Sequence, residues 1–280
     1  MHCMTVLGVY REPIFSPGKV REDAAILDAT LLELSRLGYE VSTVQAEALD
    51  ILSMRPSCAL IMVQSNRALN IIENWHKSGT RIINSVGSVR NCYRKPLIHL
   101  LAKGGFPIPP SQIVPLEEVE RKISFGSSTR YWLKRGDVHA IRSDDVVKIA
   151  SSEELNRALN HFRGQKIEEI LVQEHVEGRV IKFYGVGAGD YFSAFLASSG
   201  EEVTSRMKQL AAIASRSAEA VGLEIYGGDA ILARGGDVVL IDLNDWPSFS
   251  LCRQFAAKSI ASYITRICQG EFNGISSCVY

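Results

Sequence analysis

Residues 226–245, YGGDAILARGGDVVLIDLND, consist of two apolar runs on either side of Gly235-Gly236. Such a pair of runs is typical of a β-hairpin with a two-residue turn. That turn sets Asp229 directly opposite Asp242, and Asn244 falls on the same face because side chains alternate along a strand. The stretch therefore predicts an antiparallel hairpin with three oxygen-bearing side chains on one face.

The predicted polar face also carries Ile231 and Leu240, which argues against full solvation of the acidic pair. Opposed like charges repel, so a partner is expected for Asp229 and Asp242. Two carboxylates and the amide oxygen of Asn244 suit a hard divalent cation such as Mg²⁺. The alternative is a solvated hairpin end with unrelated acidic residues, which requires a register slip or an exposed face.

The composition is that of a globular protein, with 280 residues, 46% hydrophobic and 22% charged. Lys+Arg and Asp+Glu balance at 31 each, so we expect no nucleic-acid partner and no anionic membrane partner. The chain has no apolar run of membrane-spanning length, and its start lacks the pattern of a signal peptide. The six cysteines are scattered without CxxC spacing, which favours free thiols in a cytoplasmic protein.

The pattern of predicted strands and helices changes near residue 84. Strands alternate with helices before it, which indicates a parallel α/β domain at residues 1–84. Residues 85–280 mix helices with antiparallel strands, and no long linker makes them a detachable module. RNCYRKPLIHLLAKGG, residues 90–105, predicts one helix that ends at its Gly-Gly pair.

Three lysines stand at unusual places. Lys134 lies mid-strand in YWLKRG, Lys95 opens a helix, and Lys182 shares a strand face with Tyr184. Each alone is most simply a surface lysine whose stem covers apolar surface. Together with the acidic hairpin they favour a site for a phosphate-bearing substrate, since Mg²⁺ with few protein ligands usually shares its shell with phosphates.

Four segments in this order resemble the ATP-grasp superfamily, and in particular carboxylate–amine ligases of the ribosomal-protein glutamate ligase and glutathione synthetase type. They span most of residues 81–250 and read INSVGSVRNCYRKPLIHLLAKGGFPIPPS, YWLKRG, LVQEHVEGRVIKFYGVG and GGDAILARGGDVVLIDLNDWPSF. The resemblance implies an ATP-grasp fold after an N-terminal parallel α/β domain. It also implies a small lid-like subdomain at about 110–175 and a metal-binding subdomain at about 176–280.

The resemblance implies ATP and Mg²⁺ as cofactors, with Mn²⁺ as a substitute. Lys95 and Lys134 would contact the nucleotide phosphates, and Lys182 would lie near the γ-phosphate or the acceptor. Asp229, Asp242 and Asn244 would be the metal ligands. An adenine hinge would be formed, largely through backbone groups, by Gln173, Glu174, His175 and Val176.

One departure from the family lies after the second lysine. Many members have a longer Gly-rich flap there, whose backbone N–H groups close over the triphosphate. At the same position this chain has only the short sequence KRGDVHA, with a single glycine. Either His139 and Arg142 replace part of that flap, or His139 is an ordinary loop residue.

The leading hypothesis is an ATP-dependent ligase that joins a small-molecule carboxylate to an amine or thiol through an acyl phosphate. A small-molecule kinase on the same fold, similar to the inositol-phosphate kinases, is the second. A non-catalytic nucleotide-binding protein similar to the synapsins is the third. The resemblance also allows a homodimer.

The acceptor site is predicted at the ends of the first parallel strands, where open α/β sheets bind ligands. Candidates to hold a substrate carboxylate are Arg11, Ser16, Ser65, Asn66 and Arg67. Three residues after the metal strand are candidates to close this pocket: Trp246, Ser248 and Arg253. The alternative for Trp246 is a place in the core. Arg253 is also a catalytic candidate, together with Lys182.

Overall fold

The computed structural model describes residues 5–52, 55–126, 129–137 and 142–270. The first sheet contains four parallel strands, β1 (Thr5–Tyr10), β2 (Glu40–Gln45), β3 (Cys58–Ile61) and β4 (Arg81–Ile83). Their order is β2-β1-β3-β4, and the connecting helices are α1 (Val20–Arg36) and α2 (Asn66–Lys77). The predicted parallel α/β start is confirmed. Every residue of β3 is buried, as expected for an apolar run covered on both faces.

Two short helices follow instead of the single one predicted, α3 (Val86–Asn91) and α4 (Arg94–Lys103). Ser85 begins α3 by accepting a hydrogen bond from the Ser88 amide (3.0 Å). The chain turns at Cys92 and Tyr93, where Tyr93 has extended backbone angles. The break restarts the helical phase, and this decides which basic residue of α4 faces inward.

The second sheet is antiparallel and small. Its strands are β5 (Ser111–Pro115), β6 (Tyr131–Arg135), β7 (Val146–Ile149) and β8 (Glu169–Glu174), in the order β5-β8-β6-β7. Helices α5 (Val119–Lys122) and α6 (Ser152–Gly164) accompany it. Ser151 caps α6, and Phe162 from this helix is part of the sheet's own buried core.

The third sheet is antiparallel and carries the predicted hairpin. Its strands are β9 (Gly178–Val186), β10 (Tyr191–Leu196), β11 (Ile225–Ala233) and β12 (Val238–Asp245), in the order β10-β9-β11-β12. Helix α7 (Met207–Val221) packs on one face, and α8 (Arg253–Cys268) follows β12. No helix in the described ranges is long and apolar enough to cross a membrane.

Helix α8 joins the two parts of the chain. It packs against α1, and one buried core combines Leu27 and Leu60 of the first part with Tyr184 of β9 and Ile260 of α8. Because this core is continuous, it holds the ends of the first sheet beside the third sheet.

Asn84 fixes the junction between these two sheets. Its side chain is fully buried, accepts hydrogen bonds from the Glu224 and Ile225 amides (2.8 Å each) and donates to the Ile225 carbonyl (2.7 Å). The residue follows β4 and binds the first residue of β11. These hydrogen bonds therefore tie the end of β4 to the start of β11.

Candidate active site

A cleft of about 940 Å³ is lined by residues of the second and third sheets and by residues that follow two strands of the first sheet. The second sheet contributes Lys134 and Gln173, and the third contributes Lys182, Asp229 and Asp242. Residues that follow β1 and β3 line the opposite end. The cleft thus brings together most of the side chains that the sequence singled out.

The hairpin places Asp229 opposite Asp242, as predicted, but by a different route. The turn holds three residues rather than two: Ala233 and Asp237 close it, and Gly236 adopts a positive φ of 88°. That turn alone would shift the register by one residue. A β-bulge at Ile241 restores it, because Ala230 pairs with Leu240 while Asp229 pairs with Asp242.

The bulge also decides which side chains reach the cleft. Leu240 is fully buried in the core beneath α7, so its predicted place on the acidic face is wrong. Ile241 and Asp242 both line the cleft, and Leu243 returns to the core. Without the extra residue, strict alternation from Leu240 would turn Asp242 into the core, where an unpaired carboxylate is very costly.

Three charged side chains form a row across adjacent strands. Lys182 on β9 pairs in register with Asp229 on β11, which pairs with Asp242 on β12. The Lys182 Nζ atom lies 3.2 Å from Asp229 Oδ1, and this carboxylate raises the lysine pKa. Asn244 lines the same cleft, opposite Gly227.

The residues of this row fit a hard divalent cation. Asp229 and Asp242 retain 36% and 20% exposure of their side chains, so a ligand in the cleft can reach both. Together with Asn244 they offer only oxygen donors, which Mg²⁺ prefers. The opposed carboxylates also repel each other, and a cation between them would relieve that repulsion.

Lys134 enters the cleft from β6 and is 5% exposed. Burial lowers its pKa to about 8, because the interior solvates an ammonium poorly, and the nearby Asp242 and Asp229 offset only part of this effect. A buried lysine with incomplete compensation is prepared to receive an anion.

Arg94, which the sequence analysis did not select, occupies the inward position on α4. It is 3% exposed, lines the cleft and places Nη1 3.3 Å from Asp242 Oδ2. Lys95 is the next residue of the helix, and successive residues are rotated by about 100° around the helix axis. Its side chain therefore points to the surface, where Nζ lies 2.7 Å from Glu169 Oε1. Arg94 therefore lines the cleft, whereas Lys95 lies outside its described lining. Helical spacing was the available signal, since the buried face of α4 is Arg94, Leu97 and Leu101.

The predicted hinge, Gln173 to Val176, lines the cleft throughout. Gln173 is 1% exposed and donates to Ser111 Oγ (3.1 Å), whereas its Oε1 atom is buried without a hydrogen-bond partner. The amides of Glu174 and His175 already donate to carbonyls of neighbouring segments at 2.9 Å. A ligand at the hinge would therefore use the other backbone groups.

His175 uses both ring nitrogens in contacts with neighbouring side chains. Its Nδ1 accepts a hydrogen bond from Trp132 Nε1 (3.1 Å), while Nε2 lies 3.1 Å from Glu177 Oε1 and 3.0 Å from Lys148 Nζ. Because these contacts fix the ring, the side chain forms part of the cleft wall. His139 lies outside the described residues, whereas Arg142 lines the cleft.

The acceptor candidates are only partly brought together. Arg11, Ser16 and Ser248 line the cleft. Trp246 is fully buried in the core and donates to the Ile83 carbonyl, so it does not close the pocket. Among the described residues that line the cleft, the other four candidates do not occur: Ser65, Asn66, Arg67 and Arg253. Ser65 caps α2, and Arg67 pairs with Asp50. Arg253 donates from Nη2 to the Glu22 carbonyl (3.4 Å).

Comparisons with known proteins give structural relatives only. No family model and no curated protein matches the chain. A RimK domain ATP-grasp protein from Sphaerobacter thermophilus is 17% identical, with a TM-score of 0.71 and coverage of 93% of this chain and 99% of the other. D-alanyl-alanine synthetase A from Vibrio cholerae is 10% identical, with a TM-score of 0.73 and coverage of 96% and 98%. The ATP-grasp ligase PsnB, solved with a precursor peptide and AMPPNP, is 16% identical, with a TM-score of 0.64 and coverage of 96% and 99%.

Proposed function

We propose that this chain, which has the ATP-grasp fold, is an ATP- and Mg²⁺-dependent ligase that activates a small-molecule carboxylate for attack by an amine or thiol. One observation carries the proposal. Buried Lys134 and Arg94 share a single cleft with the Lys182–Asp229–Asp242 row, so cations for phosphates lie beside oxygen ligands for a metal. The structural relatives named above are ATP-grasp ligases, which supports the same class.

In this proposal the nucleotide lies between the second and third sheets. The hinge at residues 173–176 binds adenine, while Lys134 and Arg94 contact the phosphates. Phosphate oxygens would stabilise the charged form of Lys134 because they supply the compensation that burial removes. Asp229, Asp242 and Asn244 would hold Mg²⁺, which when bound neutralises charge on the phosphates.

The ion pairs of the row have a consequence for binding. Arg94 now neutralises Asp242, and Lys182 neutralises Asp229. When metal and nucleotide enter together, each carboxylate is free to turn to the metal and each cation to a phosphate oxygen. The site would therefore stay close to electroneutral before and after binding, which limits the cost of exchanging partners.

The reaction would proceed in two displacements. A substrate carboxylate oxygen attacks the γ-phosphorus, ADP leaves, and an acyl phosphate forms. The amine nitrogen then attacks the acyl carbon, inorganic phosphate leaves, and the nitrogen loses a proton. Lys182, 45% exposed at the row's outer end, is placed to neutralise the phosphoryl group in transit.

Hydroxylamine trapping tests this function. The protein is incubated with ATP, Mg²⁺ and a panel of amino acids and dicarboxylates, and ADP and hydroxamate are measured together. A ligase yields hydroxamate in proportion to ADP with the right acid. A stable phosphoester without hydroxamate would instead identify a kinase. ATP binding without turnover across acid and polyol panels would support a non-catalytic binder.

A further inference from the structure

Two carboxylates contact Arg11 at the acceptor end of the cleft. Asp23 Oδ2 accepts from Arg11 Nη1 (3.3 Å) and Ser16 Oγ (2.7 Å). Asp245 Oδ2 lies 3.9 Å from Arg11 Nη2, and its Oδ1 accepts from Gln64 Nε2 (2.8 Å). Glu12 is buried as well, but the Gln64 and Ser65 amides satisfy its carboxylate.

Charge and hydrogen bonding are unbalanced here. Asp23 and Asp245 are 8% and 2% exposed, and among the described residues Arg11 is the guanidinium that pairs with both. Asp245 lines the cleft, yet its Oδ2 atom is buried without a hydrogen-bond donor among the described residues. A buried carboxylate oxygen in this condition is costly unless a ligand supplies the missing donor.

Arg11, which the sequence analysis offered as a candidate to hold the substrate carboxylate, has four of its five N–H donors already in use. Its guanidinium already makes four hydrogen bonds, to the carbonyls of Met62, Asp245 and Trp246 and to Asp23. Its charge is likewise matched by the two aspartates. What this end of the cleft lacks is a cationic donor, not an anion.

We propose that Asp245 and Asp23 bind the protonated primary amine of the substrate, so that the carboxylate substrate is an amino acid. This inference rests on the proposed ligase function. An ammonium group carries three donors and a positive charge, which meets both deficits at once. Asp245 lies three residues beyond Asp242 on β12, roughly 10 Å along the strand, which leaves room for a small amino acid with its carboxyl group toward Lys182.

Paired substrates test the proposal. Each of the twenty L-amino acids, and D-alanine, is compared with its N-acetyl derivative for ADP and hydroxamate formation. The free amine is expected to be required, with at least a tenfold preference in kcat/KM. Asp245→Asn should raise the amino-acid KM at least tenfold with kcat within about threefold, and should shrink the preference, because the carboxylate charge is lost while the Gln64 contact can remain.

The controls separate a binding role from a structural one. Asp237→Asn, at the exposed hairpin turn outside the cleft, should change none of these values. ATP affinity, measured by calorimetry, should be the same in both variants and the parent. If Asp245→Asn does not fold, Asp23→Asn takes its place. Equal use of N-acetyl and free acids, or an unchanged preference in the variants, would overturn the proposal.

A binding measurement tests the ammonium site even if no acid is turned over and the proposed ligase function is wrong. Alanine amide at pH 7 carries the ammonium without a carboxylate. Calorimetric binding to the parent, lost in Asp245→Asn but kept in Asp237→Asn, would support the ammonium site alone. Absence of binding to the parent would overturn it.

Discussion

Replacing Lys134 by methionine should make the protein more stable while it weakens ATP binding. The lysine is 5% exposed, and burial lowers its pKa from 10.5 to about 8. At about 1.36 kcal/mol per pH unit, holding the charged amine inside costs about 3 kcal/mol at pH 7. Methionine fills a similar volume without a charge, so Lys134→Met should gain up to about this amount in the free energy of unfolding.

The gain should depend on pH in a defined direction. Between pH 8 and 10.5 the unfolded chain binds the proton of Lys134 more strongly than the folded chain does, so the parent's stability rises with pH in that window. The penalty is fully present below pH 8 and vanishes above 10.5. The advantage of Lys134→Met should therefore fall from about 3 kcal/mol at pH 7 to about 1.5 kcal/mol at pH 9.5.

Urea unfolding followed by tryptophan fluorescence at the two pH values measures this difference. Groups other than Lys134 titrate in both proteins and cancel in the comparison. Lys103→Met, on the exposed part of α4, serves as the control and should change stability little at either pH. ATP affinity should fall about thirtyfold in Lys134→Met, because a charged contact to phosphate worth about 2 kcal/mol is lost. A variant that is no more stable than the parent at pH 7, or a gain independent of pH, would refute the reasoning.

Three further outcomes are expected. Asp242→Asn should abolish Mg²⁺-dependent ATP turnover. It should also lower the free energy of unfolding by about 2 kcal/mol in urea titrations in EDTA, because Arg94 loses its charged partner at 3.3 Å. A variant as stable as the parent would contradict this second expectation. Arg94→Ala should lower the affinity for ATP, measured by calorimetry, at least tenfold, whereas the affinity of Lys95→Ala should stay within twofold of the parent. Equal effects would mean that α4 is rotated relative to this description. Asn84→Ala should lose about 3 kcal/mol in thermal unfolding, because three buried hydrogen bonds disappear, and a loss below about 1 kcal/mol would show that the sheets do not depend on this contact.

The sequence by itself determined the element types and the chemistry of the central site. Alternation of strands and helices predicted the parallel first sheet, and the two apolar runs about Gly235-Gly236 predicted the acidic hairpin. These features depend on residues a few positions apart, and backbone hydrogen bonding converts such local patterns directly into structure. The mid-strand position of Lys134, taken together with the acidic hairpin, likewise indicated the site, and the structure places this lysine in the cleft.

The tertiary structure decided which side chains face one another. The bulge at Ile241 turns Asp242 out of the core, and the break before α4 puts Arg94 inside in place of Lys95. The end of the cleft around Arg11 shows the limit most clearly, since Gln64 and Asp245 are 181 residues apart and meet only when α8 holds the first sheet beside the third. A buried charge is defined by its partners, and partners so far apart in sequence leave no local pattern that identifies them.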